Sequence, residues 1–113
     1  MSDRVFVYRP GFEERGQRYF CPYSAQVIGM LAYYPAIRPT IELVELDFAK
    51  PRRPLVELLG EAHQAAPMLV LDHTSETAVE GVTVATANGH RFVSKTSEIL
   101  RYLSVTRGMP LPH

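Results

Sequence analysis

The first half of the chain predicts a strand, a helix and a second strand in succession, and this order limits the fold more than any other feature. Residues 4–8 form a short run of β-branched and aromatic side chains, which is typical of a buried strand. Residues 22–33 predict a helix that ends before a Tyr-Pro pair. Residues 40–48 carry apolar side chains on both faces, which suits a central or parallel strand. Such a unit predicts two parallel strands joined by a right-handed crossover.

The second half predicts two more helices and a hairpin. Leucines recur at helical spacing after Pro54, residues 68–71 predict a third strand, and Asn88-Gly89 is a hairpin-turn signal. Residues 11–18 contain two glycines and four ionisable side chains without a period, which predicts a loop. A last helix begins near Thr96, which we expect to cap it. We therefore expect an α/β fold of order β-α-β-α-β-β-α, a four-stranded mixed sheet flanked by three helices, in one domain over residues 1–113.

Composition excludes several classes of function. The chain has 113 residues, and its twelve basic and twelve acidic side chains give a formal net charge of zero, which argues against a nucleic-acid or acidic-membrane binder. No apolar run has membrane-spanning length, and the start lacks the layout of a secretion signal. A single cysteine cannot form an internal disulfide, so we expect a cytoplasmic protein.

That cysteine, Cys21, precedes Pro22 at the predicted start of the first helix. Proline suits the first helical turn because its missing N–H needs no partner there. A thiol at this position lies among unpaired backbone N–H groups at the positive end of the helix dipole, which favours the nucleophilic thiolate. We therefore predict a reactive thiol; the alternative is a buried, inert cysteine.

Three separated motifs in the chain resemble motifs of known protein families. Residues 21–24 (Cys-Pro-Tyr-Ser) resemble the glutaredoxin active-site motif with serine in place of its second cysteine. Residues 66–70 (Ala-Pro-Met-Leu-Val) resemble the cis-proline stretch, and residues 95–103 resemble the start of the last helix in glutathione transferases. The chain thus resembles the thioredoxin-like superfamily, in particular glutaredoxins and the N-terminal domain of glutathione transferases. Residues 47–52 and 59–64 are similar to a bacterial family of stand-alone thioredoxin-like domains without characterised function.

The resemblance implies monothiol exchange chemistry with glutathione as co-substrate. Cys21 would attack a mixed disulfide between glutathione and a protein, and a second glutathione would resolve it. Ser24 could donate a hydrogen bond to the thiolate but could not resolve a disulfide. The glutathione peptide would lie along Ala66, with its two carboxylates at the last helix and at the basic loop of Lys50. The implied substrate-binding residues are Tyr23, Arg52, Arg53, Ala66, Pro67, Thr96 and Ser97.

Several alternatives stay open. Lys95 stands where transferases have an acidic residue that contacts the α-amino group, and Asp72, His73 or Glu98 could take that role. A dimer could bridge an iron–sulfur cluster through Cys21 and glutathione, although Tyr23 and the proline turn argue against it. No histidine spacing predicts a zinc site. The rival function is a non-catalytic adaptor or ligand-binding domain, as a monomer or homodimer, that keeps the fold.

Overall fold

The predicted strand–helix–strand unit forms the middle of the structure. A computed structural model describes residues 2–113. In chain order its elements are β1 (Asp3–Tyr8), β2 (Phe12–Glu14), β3 (Gln17–Tyr19), α1 (Pro22–Tyr33), a 3-10 helix (Pro35–Thr40), β4 (Ile41–Leu46), α2 (Arg53–Leu59), β5 (Met68–Val70), β6 (Ala85–Ala87), β7 (His90–Val93) and α3 (Thr96–Arg107). The three α-helices lie where the sequence predicts them, and the 3-10 helix occupies the expected turn after α1.

The main sheet is mixed and has five strands in the order β4-β1-β5-β7-β6, so the prediction of four strands is wrong. β1 pairs parallel with β4, whereas β5 pairs antiparallel with both β1 and β7. The extra strand is β6, which is the first arm of the predicted Asn-Gly hairpin and forms the sheet edge beside β7. β4 is parallel as expected, but it lies at the opposite edge rather than in the centre.

Helices cover both faces of the sheet, and successive side chains of β1 pack alternately into the apolar cluster on each face. Val5 and Val7 pack with side chains of α1 and α3 on one face. Phe6 packs with Leu55 and Leu59 of α2 on the other. β4 likewise contributes to both clusters, and this explains its apolar residues on both faces despite its place at the edge.

The segment predicted as a loop before Cys21 is instead a second, two-stranded sheet formed by β2 and β3. Arg15 and Gly16 connect the two strands with φ values of 53° and 77°. Positive φ at both central residues is the signature of a type I′ hairpin turn, and Asn88 and Gly89 adopt it as well. Arg-Gly is a much weaker signal for this turn than Asn-Gly, so the sequence did not reveal the first hairpin.

α3 also begins differently from the prediction. The residue at its N-cap is Lys95, whose side chain makes no capping bond, and Thr96 is already helical. Glu98 lies in the first turn as expected, and Gly108 ends the helix in the left-handed region with φ of 68°.

A buried ion pair joins the first strand to the last helix. Asp3 is only 5% exposed, and its carboxylate accepts hydrogen bonds from the Asp72 N–H (2.7 Å) and the Ser75 hydroxyl (2.6 Å). The Arg107 guanidinium lies 3.1 Å from the same carboxylate and also donates to Thr40. A single carboxylate therefore holds β1, the segment after β5 and α3 together.

We expect Arg107→Met to lower the free energy of unfolding by about 3 kcal/mol, because it leaves the Asp3 charge buried without its ion-pair partner. Arg38→Met, at an exposed position of the 3-10 helix, is the matched control and should change it by less than about 0.5 kcal/mol. Urea unfolding followed by circular dichroism measures both. Equal effects would show that the Asp3–Arg107 pair does not stabilise the fold.

Tyr102 should make stability fall in alkali. Burial raises the pKa of its phenol, and the negative charge of Asp3 acts in the same direction. The neutral phenol is thus favoured in the folded state, so its contribution is complete below the unfolded pKa of about 10 and is lost as the pH rises through the higher folded pKa. Urea unfolding at pH 8 and pH 11 should show a smaller alkaline loss in Tyr102→Phe than in the parent. An identical loss would contradict this.

Candidate functional site

The predicted site residues lie together at one end of the sheet, where its strands begin or end. β7 runs parallel to β1 because both are antiparallel to β5. The carboxyl ends of β1, β4 and β7 therefore lie at the same end of the sheet as the amino end of β5. The segments that begin or end there contain the predicted site residues Cys21, Tyr23, Ser24, Arg52, Arg53, Ala66, Pro67, Thr96 and Ser97.

Cys21 is the N-cap residue of α1 and is partly exposed. Its backbone is extended (φ −82°, ψ 116°), and Pro22 occupies the first helical position as predicted. The Ser24 N–H donates to Cys21 Sγ over 3.4 Å. The first turn of α1 holds no acidic residue. The thiol is thus accessible and has a donor that an anionic sulfur can use.

Ser24 contacts the thiol through its backbone N–H, and its hydroxyl oxygen is bonded to the end of β1. Its side chain is 4% exposed, and Oγ accepts a hydrogen bond from the Tyr8 N–H at 3.1 Å. The hydroxyl therefore fastens the first turn of α1 to the end of β1. This role was not visible in the sequence, because it depends on which strand end lies beneath the helix.

Three predicted substrate-binding residues share one cleft. Tyr23, Thr96 and Ser97 line a cavity of about 380 Å³ together with Gln26, Ser94 and Lys95. Tyr23 is 58% exposed, so its ring is available to a ligand. Lys95 gives this cleft a positive charge, which suits a carboxylate and repels an ammonium group.

None of the three candidates for compensating Lys95 lines this cleft. Asp72 and His73 follow the carboxyl end of β5 and therefore lie at the opposite end of the sheet from this cleft. The Thr74 hydroxyl donates to the Asp72 carboxylate and lowers its pKa below the usual value. The Glu98 carboxylate accepts a hydrogen bond from the Thr83 N–H.

Arg52 is engaged within the protein. It is 9% exposed, its guanidinium donates to the carbonyl oxygens of Phe48 (2.8 Å) and Gln64 (3.2 Å), and it lies 4.8 Å from the centre of the Tyr8 ring. These contacts fix the loop between β4 and α2. Arg53 is exposed, so it is the freer of the two predicted arginines.

Pro67 is buried directly before β5, and the Ala66–Pro67 peptide bond is cis, as the resemblance implies. The N–H of Ala66 donates to the Tyr8 hydroxyl at 3.2 Å. The N–H of Ala66, the residue along which the resemblance places a bound peptide, therefore has an internal partner in this structure.

A second cleft adjoins Cys21 on the side of β1 and β4. It has a volume of about 260 Å³ and is lined by Val7, Tyr8, Pro10, Phe20, Cys21, Ser24, Ala25, Ile28 and Glu45. No sequence motif includes Glu45, which is an exposed carboxylate on β4. Its only sequence signal is that it is one of two glutamates in a mostly apolar strand. Its proximity to Cys21 follows from β4 pairing with β1, where Glu45 is opposite Val7.

Two further properties concern the described residues as a whole. Within residues 2–113, no helix is long and apolar enough to cross a membrane. The same residues contain no group of three or more histidine, cysteine or acidic side chains placed to hold a metal ion.

Comparison with known proteins identifies the family and no activity. A sequence model described as "Protein of unknown function (DUF3088)" matches residues 2–111, and the chain therefore belongs to this family. No curated protein and no solved structure matches the chain.

Ser24→Ala should separate stability from thiol reactivity. The change leaves the Tyr8 N–H without its acceptor and should lower the free energy of unfolding by about 1–2 kcal/mol. It keeps the backbone N–H that donates to Cys21, so the rate of iodoacetamide alkylation should stay within about twofold. Ser2→Ala, at an exposed position outside both clefts, is the control and should change neither quantity. A large loss of alkylation rate in Ser24→Ala alone would show that the hydroxyl activates the thiol.

Proposed function

We propose that this member of the DUF3088 family is a monothiol thiol–disulfide exchange protein on a thioredoxin-like fold, with Cys21 as its nucleophile. The β-α-β-α-β-β-α order that the resemblance implies is present when the β2–β3 hairpin, the 3-10 helix and the edge strand β6 are treated as additions. The additions lie before α1, after α1 and at the sheet edge, so they leave the order of the remaining elements unchanged.

The observation that carries the proposal is the environment of Cys21. The thiol is partly exposed at the N-cap of α1, accepts a hydrogen bond from the Ser24 N–H, and borders a cleft. An inert structural cysteine is buried in apolar surroundings, whereas a reactive one is accessible and lies near groups that stabilise negative charge.

The exchange takes place in two displacement steps. The Cys21 thiolate attacks one sulfur of a substrate disulfide, so that a bond forms between Cys21 and that sulfur while the other sulfur departs as a thiolate. An external thiolate then attacks the mixed disulfide, releases Cys21 and leaves with the substrate's sulfur as a new disulfide. The external thiol supplies the electrons, because Ser24 cannot act as a second thiol and the chain has no other cysteine.

Glutathione is the external thiol that we propose, on the basis of the cleft lined by Tyr23, Thr96 and Ser97. Lys95 in that cleft would attract a carboxylate of the peptide. The Ala66 N–H and the Arg52 guanidinium already have internal partners, which a bound peptide would have to share or replace. We therefore expect binding to depend mainly on the residues of this cleft.

The same internal bonds favour the rival function, a non-catalytic adaptor or ligand-binding domain. Phe20 and Tyr23, which flank Cys21, are 62% and 58% exposed, and exposed aromatic side chains are common at binding surfaces. The two functions differ in one measurable property: exchange requires a reactive thiol, and an adaptor does not.

Cys21→Ser should abolish exchange. We expect the parent protein to reduce a glutathionylated peptide with glutathione, measured through glutathione reductase, and Cys21→Ser to lose at least about 100-fold in rate because the nucleophile is removed. Ser24→Ala should retain most of the rate. Equal rates in the parent and Cys21→Ser would end this assignment.

Alkylation of Cys21 by iodoacetamide at pH 6 then separates exchange from the adaptor function. Exchange predicts a rate well above that of free cysteine and protection by glutathione. A rate at or below that of free cysteine, without protection, would support the adaptor.

A further inference from the structure

Two clefts near the start of α1 differ in charge. The cleft of Tyr23, Thr96 and Ser97 contains Lys95. The cleft on the side of β1 and β4 contains Glu45 as the one charged side chain among the described residues that line it. Cys21 itself lines the second cleft.

The second cleft is mostly apolar. Val7, Pro10, Phe20, Ala25 and Ile28 supply its walls. Its volume of about 260 Å³ corresponds to roughly eight or nine water molecules at about 30 Å³ each. This space is large enough for an aliphatic chain.

Glu45 makes no ion pair within 4 Å among residues 2–113. Glu45 also lines a neighbouring cavity that contains Arg9, Arg52 and Arg53. Arg9 pairs there with Asp47, and Arg52 donates to the carbonyl oxygens of Phe48 and Gln64. Arg18 lines a neighbouring groove with Pro10 and Phe20 and does not line this cleft. A group bound beside Cys21 on this side therefore meets apolar walls and one carboxylate.

We propose that this cleft binds the substituent on one half of the substrate disulfide, and that it selects an apolar, positively charged substituent over an anionic one. This inference rests on the proposed function, because it requires Cys21 to attack a disulfide. It assigns the two clefts to different partners: the cationic or neutral substrate beside Glu45, and the anionic resolving thiol beside Lys95.

The charge selectivity can be measured by direct labelling, because Cys21 is the only thiol in the chain. The probes are methanethiosulfonates that carry a trimethylammonium-ethyl, a hydroxyethyl or a sulfonatoethyl group. The Cys21 thiolate attacks the sulfenyl sulfur, a disulfide forms, and methanesulfinate leaves with the electron pair of the broken S–S bond. Each rate is divided by the rate of the same probe with 2-mercaptoethanol, which removes differences in intrinsic reactivity.

We expect the normalised rates to fall from the cationic to the neutral to the anionic probe. Glu45→Gln should lower the ratio of cationic to anionic rates by about three- to tenfold, the size expected for one solvent-exposed charge near the thiol. The ratio in the parent should shrink toward that of Glu45→Gln at 1 M salt, where the Debye length is about 3 Å. Glu42→Gln is the matched control, since Glu42 lies on the same strand about 10 Å away and 3.9 Å from Arg4. It should leave the ratio unchanged.

The apolar walls call for a second series of neutral probes, methyl, propyl and pentyl methanethiosulfonate. Burial of each methylene should raise the normalised rate at least about twofold, with an upper limit of about fourfold. Ile28→Ser should weaken this dependence on chain length. Val105→Ser removes a side chain of similar exposure, 45% against 42%, outside the cleft and should have no effect.

The outcomes separate this inference from the proposed function. If the neutral probe reacts with Cys21 faster than with 2-mercaptoethanol but Glu45→Gln and Glu42→Gln give equal ratios, the substrate class is overturned while exchange stands. If all probes react no faster than with 2-mercaptoethanol, both are overturned. A ratio that depends on Glu45 together with a rate that rises with alkyl length would establish the substrate class.

Discussion

The hydrogen bond from the Tyr8 N–H to Ser24 Oγ is the contact on which the arrangement of the site depends. It joins the end of the strand that pairs on both sides within the sheet to the first turn of the helix that begins at Cys21. Because Ser24 is only 4% exposed, water cannot easily replace its hydroxyl oxygen as the acceptor, and the bond ties the strand to the helix start. Cys21 is consequently held at the edge where β4, β5 and β7 also begin or end.

A second set of contacts fixes the loops around that edge. The Arg52 guanidinium lies against the rings of Tyr8 and Phe48, and Phe12 stacks on Phe48 with ring centres 4.2 Å apart. The β2–β3 hairpin and the loop before α2 are therefore packed on one another through aromatic contacts. Tyr8 takes part in both sets, because its backbone donates to Ser24 and its hydroxyl accepts from Ala66.

The two clefts near the start of α1 contain side chains of opposite charge. Lys95 comes from the start of α3, and Glu45 comes from β4, so the two charges are presented by elements that flank β1 and α1 from opposite directions. A protein that must accept one disulfide partner and one resolving thiol benefits from such an asymmetry, since opposite charges discriminate between partners more strongly than shape alone. The proposed exchange chemistry and the proposed substrate class both derive from this arrangement.

Local sequence determined the elements. The apolar run of residues 4–8, the proline after Cys21, the Asn-Gly turn and the glycine after Arg107 each act over a few residues, and the structure confirms a strand, a helix start, a hairpin and a helix end at these places. The Arg15-Gly16 hairpin escaped prediction because arginine has no strong preference for the left-handed region that its turn requires. The thioredoxin-like assignment and the reactivity of Cys21 remain predictions.

Tertiary structure alone decided which side chains are free to act. The sequence does not show that Arg52, Ser24 and Ala66 have hydrogen-bond partners within the protein. Arg52 donates to Gln64, and both Ser24 and Ala66 bond to Tyr8. Glu45 looks like an ordinary polar position in a strand, and only the pairing of β4 with β1 places it at the cleft that Cys21 lines. The physical reason is that propensity and capping depend on neighbouring residues, whereas hydrogen-bond partners and the surroundings of a charge depend on contacts between segments far apart in sequence.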